Sequence, residues 1–148
     1  MGSIEDRATQ GISAAKEAFF ATAKDHNEEI EGIKLYKPTG FTISDKSDKH
    51  NIIFKRRDET FLLFINPNEE EDSHLFHELL LSDNSKKIIA EETFTKDGTF
   101  GFAAVMNSDN ENVEIVASVG GVKMTTITKE KRIVDDLAYM MEVVRSIK

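Results

Sequence analysis

The sequence predicts an α+β protein, in which an antiparallel β-sheet is flanked by an N-terminal, a short central and a C-terminal helix. Three patterns carry this expectation. From Lys86 onward, Ile88, Phe94, Phe100, Phe102, Val113, Ile115, Val119, Val122 and Met124 fall in short runs. These runs are broken by Thr95-Lys96-Asp97-Gly98, Ser108-Asp109-Asn110 and Gly120-Gly121, the punctuation of a four-strand meander. The chain then closes with Ile133, Leu137, Met140, Met141, Val144 and Ile147 at helical steps, which predicts a helix over about Glu130 to Ser146. At the other end, Ala8, Ile12, Ala15, Phe19 and Ala23 form a narrow apolar stripe, predicting a helix over about Ile4 to Asp25. Its alanines favour helix, while Gly11 costs about 1 kcal/mol relative to alanine.

The middle of the chain alternates as strands do. Ile33 and Leu35 alternate with charge, Pro38-Thr39-Gly40 makes a turn, and Phe41 and Ile43 resume the pattern. Asn51 to Lys55 and Phe61 to Ile65 read as a hairpin joined by Arg56-Arg57-Asp58-Glu59, with Lys55-Arg56-Arg57 as solvated charges of the turn. Phe61-Leu62-Leu63-Phe64-Ile65 is apolar at every position, which predicts a central strand covered on both faces. Asn66-Pro67 ends it. The acidic run Glu69 to Asp72 then precedes a short helix over about Ser73 to Leu81, complementing its macrodipole. Leu75, Phe76, Leu79 and Leu80 supply that helix with a buried face. Asp97-Gly98 is a pair favoured in tight hairpin turns, where positive φ is needed.

A chain of 148 residues fits one domain over Ile4 to Lys148. Within it, residues 4–30 read as an N-terminal helix that serves as a lid or stalk. Met1-Gly2-Ser3 reads as an expression remnant rather than a myristoylation signal, because Asp6 stands where Ser or Thr is expected. The net charge of −8 argues against non-specific binding to nucleic acid or anionic lipid. No apolar run is long enough to cross a bilayer, so direct membrane insertion of this segment is not expected. The absence of cysteine excludes disulfides, thiolate metal sites and a cysteine nucleophile.

Candidate sites are few. His74 and His77 lie three residues apart on the central helix, where two imidazoles can share a face and hold a metal. The order His74-Leu75-Phe76-His77-Glu78 matches neither zincin spacing, so surface histidines on a capped helix are the favoured reading and no cofactor is expected. Glu69 to Asp72 and Asp83-Asn84-Ser85 offer oxygen ligands without an EF-hand spacing. The four histidines name no serine and acid partner, and no nucleophile elbow exists. Gly120-Gly121 precedes a strand rather than a helix and is read as a turn, not a phosphate cradle. Asp135 and Asp136 are adjacent on the last helix, point apart, and are read as solvated. The Met140-Met141 pair is read as core. Phe100, Phe102 and Met106 share one strand face and either line a binding groove or form plain core.

Lys37-Pro38-Thr39-Gly40-Phe41-Thr42-Ile43 resembles the Pro-x-Gly-Phe opening of small bacterial extracytoplasmic domains with the PsbP-like α+β fold. Such domains often occur in lipoproteins or membrane-anchored proteins of Gram-positive bacteria. The stretch Val113 to Lys148, with Gly120-Gly121-Val122 and the ending Arg145-Ser146-Ile147-Lys148, is similar too. The resemblance covers Ile33 to Lys148, lacks the tryptophan common after the opening, and supplies no catalytic residues. It implies a non-enzymatic binding or accessory domain of a membrane-anchored or secreted protein, with an unknown protein partner. The alternative expectation is an intracellular acidic chaperone or adaptor dimer that wraps a partner chain.

Overall fold

The computed structural model describes residues 3–148, so Met1 and Gly2, two of the three residues read as an expression remnant, lie outside the described residues. The observed architecture is the expected α+β one. In chain order it runs α1 (Ile4–Phe20), β1 (Glu28–Ile30), β2 (Ile33–Leu35), β3 (Thr42–Ile43), β4 (Asn51–Arg56), β5 (Glu59–Ile65) and α2 (Leu75–Ser82). The meander β6 (Ile88–Lys96), β7 (Thr99–Asn107), β8 (Asn112–Val119) and β9 (Val122–Lys129) follows. A 3-10 turn (Glu130–Arg132) then leads into α3 (Ile133–Ser146). Strands β3 to β9 form one antiparallel sheet of seven strands in the order β3-β4-β5-β9-β8-β7-β6, while β1 and β2 pair separately.

Helices α1 and α3 pack together on the inner face of this sheet. Ala8, Ile12, Ala15 and Phe19 of α1 and Ile133, Leu137, Met140, Met141 and Val144 of α3 are buried in one core with Phe54, Phe61, Leu63, Ile115 and Met124. Helix α1 is therefore core rather than the lid or stalk expected of it. It is also shorter than expected, ending at Phe20 with Ala21 already extended. Ser3 caps its start, accepting from the Asp6 amide while Asp6 accepts from the Ser3 amide. At its far end the Arg145 guanidinium donates to the Phe19 carbonyl over 2.9 Å. Gly11 lets α1 lie directly on α3, because a Cβ there would meet the Ile133 side chain.

Helix α2 lies on the opposite, outer face. Phe76 packs there with Phe100, Phe102, Ala104, Met106 and Val116. Two-residue turns at Glu31-Gly32 and Asp97-Gly98 carry positive φ at both positions, as the hairpin geometry requires. Gly120-Gly121 is the β8–β9 turn, with Val119 paired to Val122. The loop after β5 crosses this turn so closely that a Cβ on Gly120 would meet the Glu70 carbonyl oxygen and the Glu71 backbone. The loop is held by the Asn66 amide donating to the Gly121 carbonyl over 2.8 Å and the Phe100 amide to the Glu71 carbonyl over 2.9 Å.

This contact positions α2 and gives a test. Gly120→Ala adds a side chain both at a left-handed φ and into backbone, and should lower unfolding free energy by about 2–4 kcal/mol. Urea denaturation of the variant measures it, and a loss under about 0.5 kcal/mol would show that the loop gives way freely.

Candidate functional site

Two regions stand apart from ordinary core and surface: the outer face of the sheet, and a sealed carboxyl pair at the hairpin end of the inner face. The outer face follows from strand alternation. On β5, residues 59, 61, 63 and 65 point to the helical layer and are buried, whereas Thr60, Leu62 and Phe64 point outward and are exposed. The double coverage expected for Phe61 to Ile65 is therefore not found. Leu62 is 53% exposed and Phe64 36%, although β5 has a strand on each side. The reason is the small footprint of α2, which reaches the rim of β5 only through the edge-on contact of Phe76 with Phe64.

Neighbouring strands extend this apolar surface. Leu62 pairs with Ile53 on one side and Thr125 on the other. Ile127, two residues further on the same face of β9, is 58% exposed and lies diagonally from Leu62. Toward α2 the surface dips into a groove of about 160 Å³ whose walls include Phe76, Leu79, Phe102, Met106, Val116 and Lys123. Phe100, Phe102 and Met106 thus share the outer face under α2, with Phe102 and Met106 at the groove floor. All three are buried by the helix, so the exposed apolar residues are Leu62, Phe64, Leu79 and Ile127 instead.

His74 and His77 are engaged elsewhere. The helix begins at Leu75, so His74 precedes it and its ring stacks on Phe100 with centroids 3.7 Å apart. His77 Nε2 lies 2.6 Å from Glu91 Oε1, tying α2 to β6. Among the described residues no three His, Cys, Asp or Glu side chains come together as a metal site. A wide, open surface concavity of about 740 Å³ lies between the start of α1 and the ends of β7 to β9. Open charged residues such as Glu5, Glu111 and Lys131 line it.

The carboxyl pair was not expected. Asp136, read from the sequence as solvated, is fully buried, and Glu59 is nearly so. Thr128 Oγ1 donates to Glu59 Oε2 over 2.8 Å, and Arg56 Nη1 lies 3.3 Å from Asp136 Oδ1. Arg132 bridges Asp58 at 2.8 Å and Glu59 at 3.4 Å. The expectation of wholly solvated turn charges therefore fails at Arg56. Its guanidinium sits 4.9 Å from the Tyr139 ring centroid and 5.6 Å from that of Phe41. Glu59 Oε1 and Asp136 Oδ2 have no hydrogen-bond partner, and a proton shared between the two carboxyls would satisfy both. Burial away from water, then the hydrogen bond and charge of Glu59, push the Asp136 carboxyl up to about 8, against the opposing pull of Arg56 and Thr128.

A protonated acid beside a carboxylate has the chemistry of a general acid, but this one is closed in by the two arginines, Thr128 and α3. It locks the β4–β5 hairpin to the start of α3. The sequence held a signal for it. Asp136 falls three residues after Ile133 on the apolar stripe, and Arg56 and Glu59 face each other across the two-residue turn.

Sequence and structure comparisons add little beyond this. No family model matches the chain, and no curated protein is significantly similar to it. Among solved structures, the solution structure of cyanobacterial PsbP (CyanoP) from Synechocystis sp. PCC 6803 is similar to it. That likeness has 16% identity and a TM-score of 0.44, covering 87% of this chain and 95% of the other.

The raised acid has a definite linkage sign. A carboxyl whose pKa is higher folded than unfolded stabilises the fold fully below the unfolded value of 3.8 and loses that contribution as pH rises toward about 8. Asp48, Asp58 and Asp83 are shifted the other way, and their contribution is complete above 3.8. Unfolding free energy should therefore fall by about 1–3 kcal/mol between about pH 5 and pH 8, and Asp136→Asn should remove most of that fall. Urea denaturation at both pH values decides it, and an unchanged slope in the variant would refute the shared proton.

Proposed function

We propose that this chain is a non-enzymatic binding or accessory domain that docks a partner protein on the outer face of its sheet. One observation carries the reading. Leu62 and Phe64, on a strand flanked on both sides, remain exposed beside Ile127 and the groove under α2. Large apolar side chains gathered on one face mark interaction surfaces more often than chance exposure does. The strands beneath them are fixed by continuous pairing on both sides, so the surface is rigid before a partner arrives.

The non-enzymatic part of the reading is supported by the state of the titratable groups. The carboxyl pair is sealed, and His74 and His77 spend their rings on Phe100 and Glu91. An anchored or secreted bacterial parent is the setting that the Pro38 to Phe41 motif implies. A dimeric acidic adaptor would use the same face for a second copy.

The test selects binders without assuming a partner. Random peptides displayed on phage are selected against the folded domain, and bound peptides are mapped by amide chemical shifts. Binders should map to β4, β5, β9 and α2, and Leu62→Ser combined with Ile127→Ser should weaken them at least about tenfold. The melting temperature of that variant should stay within about 2 °C, because both side chains are exposed. Binders that map elsewhere, or that ignore the double substitution, would sink the proposal.

A further inference from the structure

We infer that the outer face receives an acidic amphipathic helix from a partner protein. The inference rests on the reading of that face as the binding surface, and adds what binds there. Its basis is a charge asymmetry. The chain carries 27 acidic and 19 basic residues, a net charge of −8. Yet the outward positions of β4, β5 and β9 include no carboxylate. They carry Lys55, Lys123 and Lys129, the apolar Ile53, Leu62, Phe64 and Ile127, and otherwise only Asn and Thr. Two acids border the face: Glu114 on β8, paired with the Lys86 ammonium at 2.6 Å, and Asp83 after α2, which accepts from the Ser85 amide and hydroxyl.

The arrangement also has a length. Lys123 and Lys129 stand at opposite ends of β9, six residues and so about 20 Å apart. Lys55 sits at the Lys129 end, paired with Thr60 near the β4–β5 turn. The apolar residues lie between these two basic ends. An α-helix of about 13 residues spans the same distance. Side chains, not free backbone edges, are what this face offers, which suits a helix laid across the sheet better than an added strand. Such a helix would lie beside α2 and extend the outer layer, its acids meeting lysines at both ends.

The charge pattern weighs against other occupants. A two-fold pairing of two copies would set the lysines of one face against the same lysines of the other. A membrane of anionic lipid would attract the face but repel the rest of a chain with net charge −8.

The test uses two synthetic amphipathic peptides of about 18 residues with the same leucine stripe, one flanked by Glu and one by Lys. Fluorescence anisotropy at about 0.02 M and about 0.3 M salt reads their affinity for the intact domain. The Glu peptide should bind at least about tenfold more tightly, with the difference shrinking at the higher salt. The combined substitution Lys55→Glu, Lys123→Glu and Lys129→Glu should reverse the preference, and Leu62→Ser with Ile127→Ser should weaken both peptides. Equal affinities that still depend on Leu62 and Ile127 would overturn the acidic partner while leaving the binding face standing. Affinities indifferent to Leu62 and Ile127 would overturn the face itself. Two further results would replace the acidic helix by another occupant. One is binding to vesicles of phosphatidylcholine and phosphatidylglycerol that the lysine variant loses. The other is a dimer in sedimentation that the Leu62 and Ile127 variant loses.

Discussion

Unequal coverage of the sheet is the constraint from which the rest of the molecule follows. Seven strands at about 4.8 Å spacing make a surface about 29 Å wide. On the inner face two helices of 17 and 14 residues lie side by side and close it. On the outer face α2 has 8 residues, about 12 Å of helix, and lies over the β6–β8 part, meeting β5 only where Phe76 touches Phe64. The inner layer closes because Gly11 and Gly101 remove side chains where backbone or ring must approach. A Cβ on Gly101 would lie 2.7 Å from the Phe19 ring. The outer layer has no second helix among the described residues, and Leu62, Phe64 and Ile127 stay in water as a direct consequence.

The buried carboxyl pair belongs to the same constraint, seen from the other side. Closing the inner face over the β4–β5 hairpin brings Glu59 under the first turn of α3, where Asp136 already points inward. Two carboxylates in that space repel, and burial penalises each charge. A proton between them, two arginines and Thr128 resolve the conflict without opening the layer. Removing one partner of such a set leaves a buried charge unpaired, so the cluster fixes how the hairpin meets α3 more firmly than its net energy implies. Arg56 adds to this by lying against Phe41 and Tyr139, which joins the 36–43 loop to the same corner.

Periodicity made the meander, the terminal helix and the Gly120-Gly121 turn legible, because each depends on neighbours within a few residues. What it could not reach depends on partners far along the chain. The run Phe61 to Ile65 is apolar at all five positions, and nothing local says whether a helix will cover its second face; only the length of α2 decides that. Asp136 was read as solvated because adjacent acids usually are. Its burial rests on Glu59 and Arg56, about 80 residues away, brought to it by the β5–β9 pairing. Helix α1 stops at Phe20 because Phe19 is taken up by the core while Ala21 to Asn27 cross to the β1–β2 hairpin. That crossing is anchored where His26 Nε2 lies 2.9 Å from the Ser146 carbonyl oxygen. His74 and His77 do not share a helix face because α2 begins at Leu75, which leaves His74 just outside it and stacked on Phe100.

The open face and the acidic remainder of the surface act at different ranges. Charges more than a Debye length away, about 8 Å at physiological salt, are screened, so a docking chain feels the face it touches and little of the distant acidic surface. Within that distance Lys55, Lys123 and Lys129 dominate, because outward carboxylates on β4, β5 and β9 are absent. An acidic partner of the kind proposed would thus be favoured on this face over the carboxylate-rich surfaces around it. The exposed apolar residues lie beside and between lysines at the two ends of the face, so an acidic partner that buried them would meet the charges as well. A surface arranged in this way favours a partner whose charges and apolar stripe match it at the same time.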